Sequence, residues 1–450
     1  MMVHGQGQTR YLHWAVWVVT FSVAVGMRLD GMASTMALQD SVGPYLAAMR
    51  WDWRAHAAPY GVALLPPYWI ATKISSSLWQ AVASIQVLHA LCAPVGSLLV
   101  LRMRPQAVWT ALLVGLLIGT DPGLIDTARS GAEGYFAALM LGAACGVRGS
   151  PAWLLFAMAV GNHPLALAGL PLFLTKNHFS VASLWGLTAG LALVGVQVAG
   201  WGSPGVGTIG SPAMDAMTAF ASAGSGWAVA VALGPLAGLV NPLTRPFAMR
   251  LVAGTILMVL AGETLGYLRD HHLRLLTIPA LACWACLPKR WALLLALPAL
   301  SSRGPQLPPE VAGRPGTLGL VNAVSNELAL GAEAPIVDRI WFDGGPAIEP
   351  AAVMLDLSLR GGVVPQPSDS RQKAVVVAAE SNTIESVQFP GQLVMKGHGY
   401  TVSMATDAEV FDWSSQWCSR EPKVGGAWDA LAIFHPHMTT EMVSAWWACP

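Results

Sequence analysis

The sequence predicts a mainly α-helical, polytopic membrane protein, with about eleven transmembrane spans in residues 1–301 and a soluble α/β domain in residues 302–450. Hydrophobic residues make up 54% of the 450 and charged residues only 11%, against about 25% charged residues in an ordinary soluble protein. Only nine of the 25 acidic side chains precede residue 301. The two parts of the chain are therefore expected to face different solvents.

A bilayer core about 30 Å thick requires roughly 20 apolar residues for each spanning helix. The first apolar run ends in Met27-Arg28-Leu29-Asp30 without a small-residue cleavage site, which favours a retained span over a signal peptide. The run 151–175 is interrupted by Gly161-Asn162-His163-Pro164, and we interpret it as two spans because a proline and polar groups at mid-depth are costly in lipid. The predicted spans are 12–28, 80–101, 106–119, 134–147, 151–162, 164–175, 180–200, 226–243, 249–266, 275–288 and 290–301.

The charges between the spans segregate by sign if the N-terminus is cytoplasmic. The cytoplasmic loops then carry basic residues, in the positive-inside pattern: Arg10, Arg102, Arg104, Arg148, Lys176, Arg245, Arg250, Lys289 and Arg290. All nine acids fall at or near the outer face: Asp30, Asp40, Asp52, Asp121, Asp126, Glu133, Asp215, Glu263 and Asp270. An odd span count places residues 302–450 outside, where disulfides form, and Cys418 and Cys449 are the predicted pair.

The net charge is +7 before residue 301 and −7 after it, and neither part has the basic footprint of a nucleic-acid-binding protein. Cys283 and Cys286 form a CxxC inside an apolar run, where small packing residues are the favoured interpretation over a reactive pair.

The segment Pro59–Ser77, with Pro66-Pro67, Lys73 and three aromatic residues, predicts an interfacial helix on the outer leaflet.

In the C-terminal part, β-branched runs with glycine or polar borders predict short strands: Ala374–Ala379, Gln392–Met395, Tyr400–Met404 and Ala430–Phe434. Helices are expected at Leu318–Leu330 and Thr439–Trp447. His435 and His437 share a face of a strand, but a surface or capping role is favoured over a metal site.

Three outer-face loops hold the charged residues that are candidates for chemistry, because a charge near lipid costs at least a few kcal/mol. In the first loop, Asp40 precedes Tyr45, Ala47 and Ala48 on a predicted amphipathic helix. A carboxylate at that position is stabilised by the helix dipole, so Asp40 is interpreted either as a helix cap or as a functional acid.

The second loop contains Asp121, Asp126, Arg129 and Glu133. These residues are interpreted either as functional groups or as part of a solvated connection between two spans. The third loop gathers acidic, aromatic and basic residues at a membrane edge: Glu263, Tyr267, Arg269, Asp270, His271, His272 and Arg274. Arginine offers bidentate donors to phosphate and histidine can carry charge, so this loop predicts either a phosphate site or a set of headgroup anchors.

The order of these segments resembles the GT-C superfamily, the polytopic glycosyltransferases that use polyprenyl-phosphate sugars and include protein mannosyltransferase and aminoarabinose transferase types. The likeness covers most of residues 10–300 and includes PYGVALLPPYWI, SLWQAVASIQVLHALCAPVGSLLVLRMR, ARSGAEGYFAALML and HHLRLLTIPAL. Members often have Asp-Glu in the first loop, whereas this chain has Asp40-Ser41. That departure leaves Asp30 and Asp52 open as the working acid.

The resemblance implies a glycosyltransferase of a bacterial inner membrane with a periplasmic C-terminal domain, a lipid-linked sugar donor, surrounding membrane lipids and an unidentified acceptor. It implies Asp40 as general base and a substrate-binding set of Tyr45, Arg129, Arg269, His271, His272 and Arg274. No metal or other cofactor is required, although Asp121 and Asp126 also suit a divalent cation. The alternatives are a non-catalytic accessory subunit of the same fold and a lipid or solute transporter.

Overall fold

The structure is a computed structural model of the full chain. It describes residues 3–30, 32, 39–49, 51–53, 61–130, 135–174, 181–201, 225–264, 268, 270–301, 317–329, 336–342, 350–361, 373–380, 391–397, 400–405, 409, 423–426 and 445–448.

The helices of the first two thirds of the chain follow the predicted apolar runs. They are α1 (Val3–Leu29), α2 (Gln39–Met49), α3 (Leu65–Ile74), α4 (Leu78–His89), α5 (Cys92–Met103), α6 (Val108–Gly119), α7 (Pro122–Ser130), α8 (Tyr135–Gly146), α9 (Ser150–Asn162), α10 (Val181–Trp201), α11 (Ser225–Val240), α12 (Arg245–Thr264), α13 (Asp270–Leu273), α14 (Thr277–Ala282) and α15 (Lys289–Ser301). Short 3-10 helices at Val62–Leu64, Pro164–Phe173, Arg274–Leu276 and Cys283–Cys286 connect some of them.

Within the described residues, three helical segments are long and apolar enough to cross a membrane: Tyr11–Leu29, Leu78–Met103 and Arg245–Glu263. The second comprises α4 and α5, which meet at Ala90 and Leu91. Large apolar side chains on the outer surface of the bundle, such as Trp14, Trp185 and Leu260, are half or more exposed. Exposed apolar surface of this extent is typical of helices that face lipid. The total number of spans stays a prediction.

The predicted interruption near residue 163 is present. α9 ends at Asn162, His163 is extended, and the chain continues as the 3-10 helix Pro164–Phe173. Proline at position 164 explains the break, because the residue before a proline is disfavoured in the α conformation. The predicted span 275–288 is likewise not one helix, since α13, α14 and two 3-10 turns follow each other from Asp270 to Cys286.

The C-terminal part contains two further helices, α16 (Thr317–Ala329) and α17 (Pro350–Gly361), and a six-stranded sheet. The strands are β1 (Ile336–Phe342), β2 (Lys373–Glu380), β3 (Gln392–Gly397), β4 (Tyr400–Ala405), β5 (Lys423–Gly426) and β6 (Ala445–Ala448), in the order β3-β4-β2-β1-β6-β5. β1 pairs in parallel with β2 and β6, and the other pairings are antiparallel. α17 is the crossover that parallel neighbours β1 and β2 require.

Three of these strands, β2, β3 and β4, cover runs that the sequence predicted as strands. α16 covers the predicted helix Leu318–Leu330 up to Ala329, and Leu330 lies outside the described residues. The prediction of a helix over Thr439–Trp447 is wrong for its last residues, because Ala445–Ala448 pairs with β1 and β5. Tertiary pairing outweighs local helix propensity there. The predicted strand Ala430–Phe434, His435 and His437 lie outside the described residues. That residues 302–450 form a separate soluble α/β domain stays a prediction.

Candidate functional site

Helix α7 is where the predicted outer loops converge. This nine-residue helix packs against α1, α2, α4, α8 and α13. α2 carries Asp40 of the first loop, and α13 carries His271 and His272 of the third loop. Because nine helical residues span only about 13 Å, the first and third loops contact the same short helix of the second loop.

The start of α7 follows from its sequence, Thr120-Asp121-Pro122-Gly123. Asp121 caps the helix by accepting a hydrogen bond from the backbone N–H of Leu124 at 3.3 Å. Pro122 occupies the first helical position, where its fixed φ fits and its missing N–H is not needed. This cap is worth about 1 kcal/mol, and it holds the Asp121 carboxylate at the turn between α6 and α7.

Asp121 also forms a buried ion pair with Arg274, the last basic residue of the third loop. Nη1 of Arg274 lies 2.5 Å from Oδ1 and 2.6 Å from Oδ2 of Asp121. The side chains are 2% and 6% exposed. The pair joins positions 153 residues apart in the chain. Both groups keep their charge, and each holds the other in place.

Gly123 leaves the space that the Arg274 side chain occupies in this pair. A Cβ at that position would overlap the Cζ, Nη2 and Nε atoms of Arg274. The guanidinium therefore lies directly over the first turn of α7, and a larger residue at position 123 would have to displace it. The glycine of Asp-Pro-Gly thus allows the close approach of the Arg274 side chain, and it is not needed to form a turn.

His272, two residues before Arg274 in the chain, packs against a second buried imidazole. The rings of His163 and His272 are 4.5 Å apart between centroids at an interplanar angle of 47°, and both residues are almost fully buried. Nδ1 of His163 accepts a hydrogen bond from the N–H of Leu165 at 3.2 Å. The break between α9 and the following 3-10 helix thus directs one histidine toward the third loop.

A second buried cation, Arg28, lies at the end of α1 and is 0% exposed. Its Nε donates to Nδ1 of His89 at 3.2 Å, and its Nη1 donates to the carbonyls of Ala24 and Gly119 at 3.2 and 3.1 Å. Because arginine only donates, Nδ1 of His89 is the acceptor and the ring proton is on Nε2. Arg28 therefore links the C-terminal ends of α1, α4 and α6. Gly119, whose carbonyl it binds, lies two residues before Asp121.

Helix α2 packs against α3 through aromatic side chains. Tyr45 is 3% exposed, and its ring contacts Tyr68 of α3 edge to face, with centroids 4.8 Å apart. Burial raises the pKa of the Tyr45 hydroxyl, which therefore stays neutral and acts in packing rather than as a base. α3 itself has Tyr68 and Ala71 buried and Trp69, Ile70 and Ile74 exposed, the pattern expected of an interfacial helix.

An apolar groove adjoins the third loop between α11 and α12. Its volume is about 270 Å³. Leu236 and Ile256 among its lining residues are 55% and 53% exposed, whereas Leu273 and Leu276 are buried. Leu273 directly precedes Arg274 in the chain, and Leu276 lies two residues after it. The remaining lining residues are also apolar except one threonine: Val231, Ala232, Pro235, Val252, Thr255, Met258 and Ala280.

Several predicted site residues lie wholly or by their side chains outside the described residues: Asp40, Asp126, Arg129, Glu133, Arg269, Asp270, His271, Cys418 and Cys449. The structure places the backbone of Asp40 in the first turn of α2, as predicted. Asp30 is exposed at the end of α1 and Asp52 is half-buried after α2. The described residues contain no cluster of three or more metal-ligating side chains, and both oxygens of Asp121 accept from Arg274.

The sequence did not single out Arg28, His89, Gly123 or His163 as site residues. Arg28 and His89 carried a usable signal, since Arg28 is a charged residue at the end of an apolar run and His89 is a polar residue within one. Gly123 and His163 carried none beyond their neighbouring prolines. Their importance depends on contacts between segments that are far apart in the chain.

No protein-family model and no curated protein matches the sequence. Among solved structures, the chain is similar to ArnT from Cupriavidus metallidurans bound to undecaprenyl phosphate, with a TM-score of 0.51 and 12% identity over 87% of this chain and 98% of ArnT. The apo state of the same protein aligns over equal shares with a TM-score of 0.48. The predicted resemblance is thus confirmed for the architecture: the chain has the fold of ArnT, a GT-C aminoarabinose transferase.

Proposed function

We propose that the protein is a membrane glycosyltransferase that moves a sugar from a polyprenyl-phosphate donor to an acceptor at the outer face of the membrane. The observation that carries this proposal is the convergence of α2, α13 and the Asp121–Arg274 pair on α7. A carboxylate-bearing helix and a basic segment on one short helix are what transfer from a phospholipid-like donor needs. The ArnT-like fold supports the same assignment.

In the proposed reaction, Asp40 accepts a proton from the acceptor hydroxyl or amine as that group attacks the anomeric carbon of the sugar. The bond between this carbon and the phosphate oxygen breaks, and polyprenyl phosphate leaves. General base catalysis of this type contributes about 10²- to 10⁴-fold to the rate. The chemistry needs no redox step and no covalent enzyme intermediate.

Negative charge develops on the departing phosphate, and fixed cations in a site of low dielectric stabilise it most effectively. Arg274, held by Asp121, and His272 are the described residues proposed for this role. Arg129, Arg269 and His271 complete the proposed set. Asp121 orients the Arg274 guanidinium, so that donors are in place before the substrate binds.

The groove between α11 and α12 is the proposed site of the isoprenoid chain. It is apolar, Leu236 and Ile256 of its lining are exposed, and Leu273 and Leu276 of its lining are buried and lie within two residues of Arg274 in the chain. A lipid phosphate therefore fits with its chain in the groove and its charge beside the basic segment. ArnT was crystallised with undecaprenyl phosphate, which is a ligand of this class.

Glycosyl transfer by the purified protein in nanodiscs tests the proposal. Undecaprenyl-phosphate aminoarabinose is the first donor, followed by polyprenyl-phosphate hexoses, with a membrane lipid extract as acceptor. We expect Asp40→Asn to lower kcat by about 10²- to 10⁴-fold, whereas Asp30→Asn and Asp52→Asn, the matched controls, stay near the parent. Equal activity of parent and Asp40→Asn would remove Asp40 as the base. Absence of transfer with every donor would favour the accessory-subunit alternative.

A further inference from the structure

Helix α17 of the C-terminal part packs directly on the membrane part of the chain. It contacts α2 and α4 of the membrane part and also β1 and α16 of the C-terminal part. Its described residues between Ala352 and Leu359 are all at most 8% exposed. A buried helix that packs against elements of both parts fixes their relative positions, and one of the contacted elements is α2, the helix that carries Asp40.

Asp356 of α17 makes the polar contact across this interface. Its side chain is fully buried, and Oδ1 accepts a hydrogen bond at 2.5 Å from the backbone N–H of Leu78, the first residue of α4. The first N–H groups of a helix have no partner within the helix, and a carboxylate there is also favoured by the helix dipole. Asp356 therefore caps a membrane helix from 278 residues away.

The other oxygen of Asp356 is bound within the C-terminal part. Nε of Arg360 donates to Oδ2 at 2.9 Å, and the Nη groups of Arg360 donate to Asn326 and Asn322 of α16 at 2.6 and 2.8 Å. The single carboxylate thus links α16, α17 and α4. Ser77 supplies the usual local cap of α4 by accepting from the N–H of Gln80, so Asp356 adds a long-range cap to a helix that already has one.

We propose that Asp356 is a positioning residue that seats α17 on α4 and thereby holds α2, with Asp40, in its working place. This inference rests on the proposed transferase function. The C-terminal part is accordingly an integral component of the site rather than an appended domain. Asp356 itself contacts backbone and Arg360 and takes no part in the reaction.

Two measurements on the full-length protein in nanodiscs test the inference. The first is hydrogen–deuterium exchange of residues 43–49 of α2 without substrate, with the α9 segment 150–162 as internal reference. The second is the kcat and KM for undecaprenyl-phosphate aminoarabinose. For Asp356→Ala we expect faster exchange in 43–49 only, a kcat lowered by about 10- to 100-fold through misplacement, and an unchanged KM for the donor. Asp356→Asn keeps an oxygen acceptor for Leu78 and should restore both readouts.

Leu78→Pro provides a second route that does not alter α17. Proline is tolerated at the first helical position, and Ser77 before it is already extended, with φ −159° and ψ 158°, as a following proline requires. The substitution removes the N–H that Asp356 accepts. Leu78→Ala, the matched control, removes the buried side chain but keeps that N–H. We expect faster exchange in 43–49 for Leu78→Pro than for Leu78→Ala.

Exchange in 43–49 that is equal in parent, Asp356→Ala and Leu78→Pro would overturn the inference. So would a raised donor KM with an unchanged kcat, which would assign Asp356 to donor binding or general stability. If exchange responds as expected but the parent transfers no sugar, the positioning of α2 by Asp356 stands and the proposed function fails. The exchange experiment needs no substrate, so the two failures are distinguishable.

Discussion

Two buried carboxylates each connect distant parts of this chain, but they do so in different surroundings. Asp121 pairs with Arg274, and both side chains are almost completely buried. Asp356 is also buried, but its basic partner Arg360 is 19% exposed and its other partner is a backbone N–H. Removing one member of a buried pair leaves an uncompensated charge, whereas an exposed member is readily replaced by water. The first contact is therefore expected to be indispensable, and the second depends on the carboxylate alone.

The largest effect is expected for Arg274→Gln. This change leaves the Asp121 carboxylate buried without its cation, which costs about 3–5 kcal/mol, and it removes the proposed phosphate donor. Thermal unfolding in detergent and the transfer assay measure the two losses. The double variant Asp121→Asn/Arg274→Gln should recover most of the stability but none of the activity. A stable, active Arg274→Gln protein would show that the pair is not essential.

A smaller loss is expected for Gly123→Ala. The added Cβ meets the guanidinium of Arg274, and overpacking of this kind costs about 1–3 kcal/mol. Gly26→Ala is the matched control, because a Cβ at Gly26 has no atom within 4 Å and alanine favours the helix. Unfolding midpoints that are lowered equally by both substitutions would contradict the close approach of Arg274 to α7.

Filling the apolar groove should affect donor binding more than folding. Ala232→Trp places a large side chain in the groove, and we expect the KM for undecaprenyl-phosphate donors to rise about tenfold, equivalent to about 1.4 kcal/mol. A water-soluble donor with a short prenyl chain should be less affected. Leu184→Trp on the exposed face of α10 is the control. An unchanged KM would exclude the groove as the isoprenoid site.

The smallest effect is expected for Arg360→Gln. Because Arg360 is partly exposed, its ion pair with Asp356 should contribute at most about 1 kcal/mol, and the Leu78 contact remains. Thermal unfolding and exchange in residues 43–49 should both stay close to the parent. A loss as large as that of Arg274→Gln would mean that the two carboxylates do not differ in the way described.

The sequence predicted much of the fold because its signals were local. Apolar runs and Pro164 located the helices and the break after Asn162, and β-branched runs with glycine or polar borders located β2, β3 and β4. The helix predicted over the last strand was wrong because β6 is defined by its partners β1 and β5. No local sequence pattern distinguishes a segment that forms a strand by pairing with distant strands from one that forms a helix.

The candidate site was only partly predictable for the same reason. Asp121 and Arg274 were noted as candidates because charged residues near apolar spans are conspicuous, yet their mutual pairing is a property of the folded chain. Arg28 and His89 meet across 61 residues, and Asp356 reaches Leu78 across 278. Asp356 lies in an ordinary amphipathic helix, so no sequence feature separates it from a surface residue.

The central claim is that the first and third outer loops meet across α7. Cross-linking tests it most directly, in a background with all six cysteines replaced and with Asp40→Cys combined with His271→Cys. The account predicts efficient linkage by a short bifunctional thiol reagent, competition by undecaprenyl phosphate, and no linkage of Asp40→Cys to Trp185→Cys on α10. Failure of the first pair to link with any reagent, while each single cysteine reacts, would contradict the account.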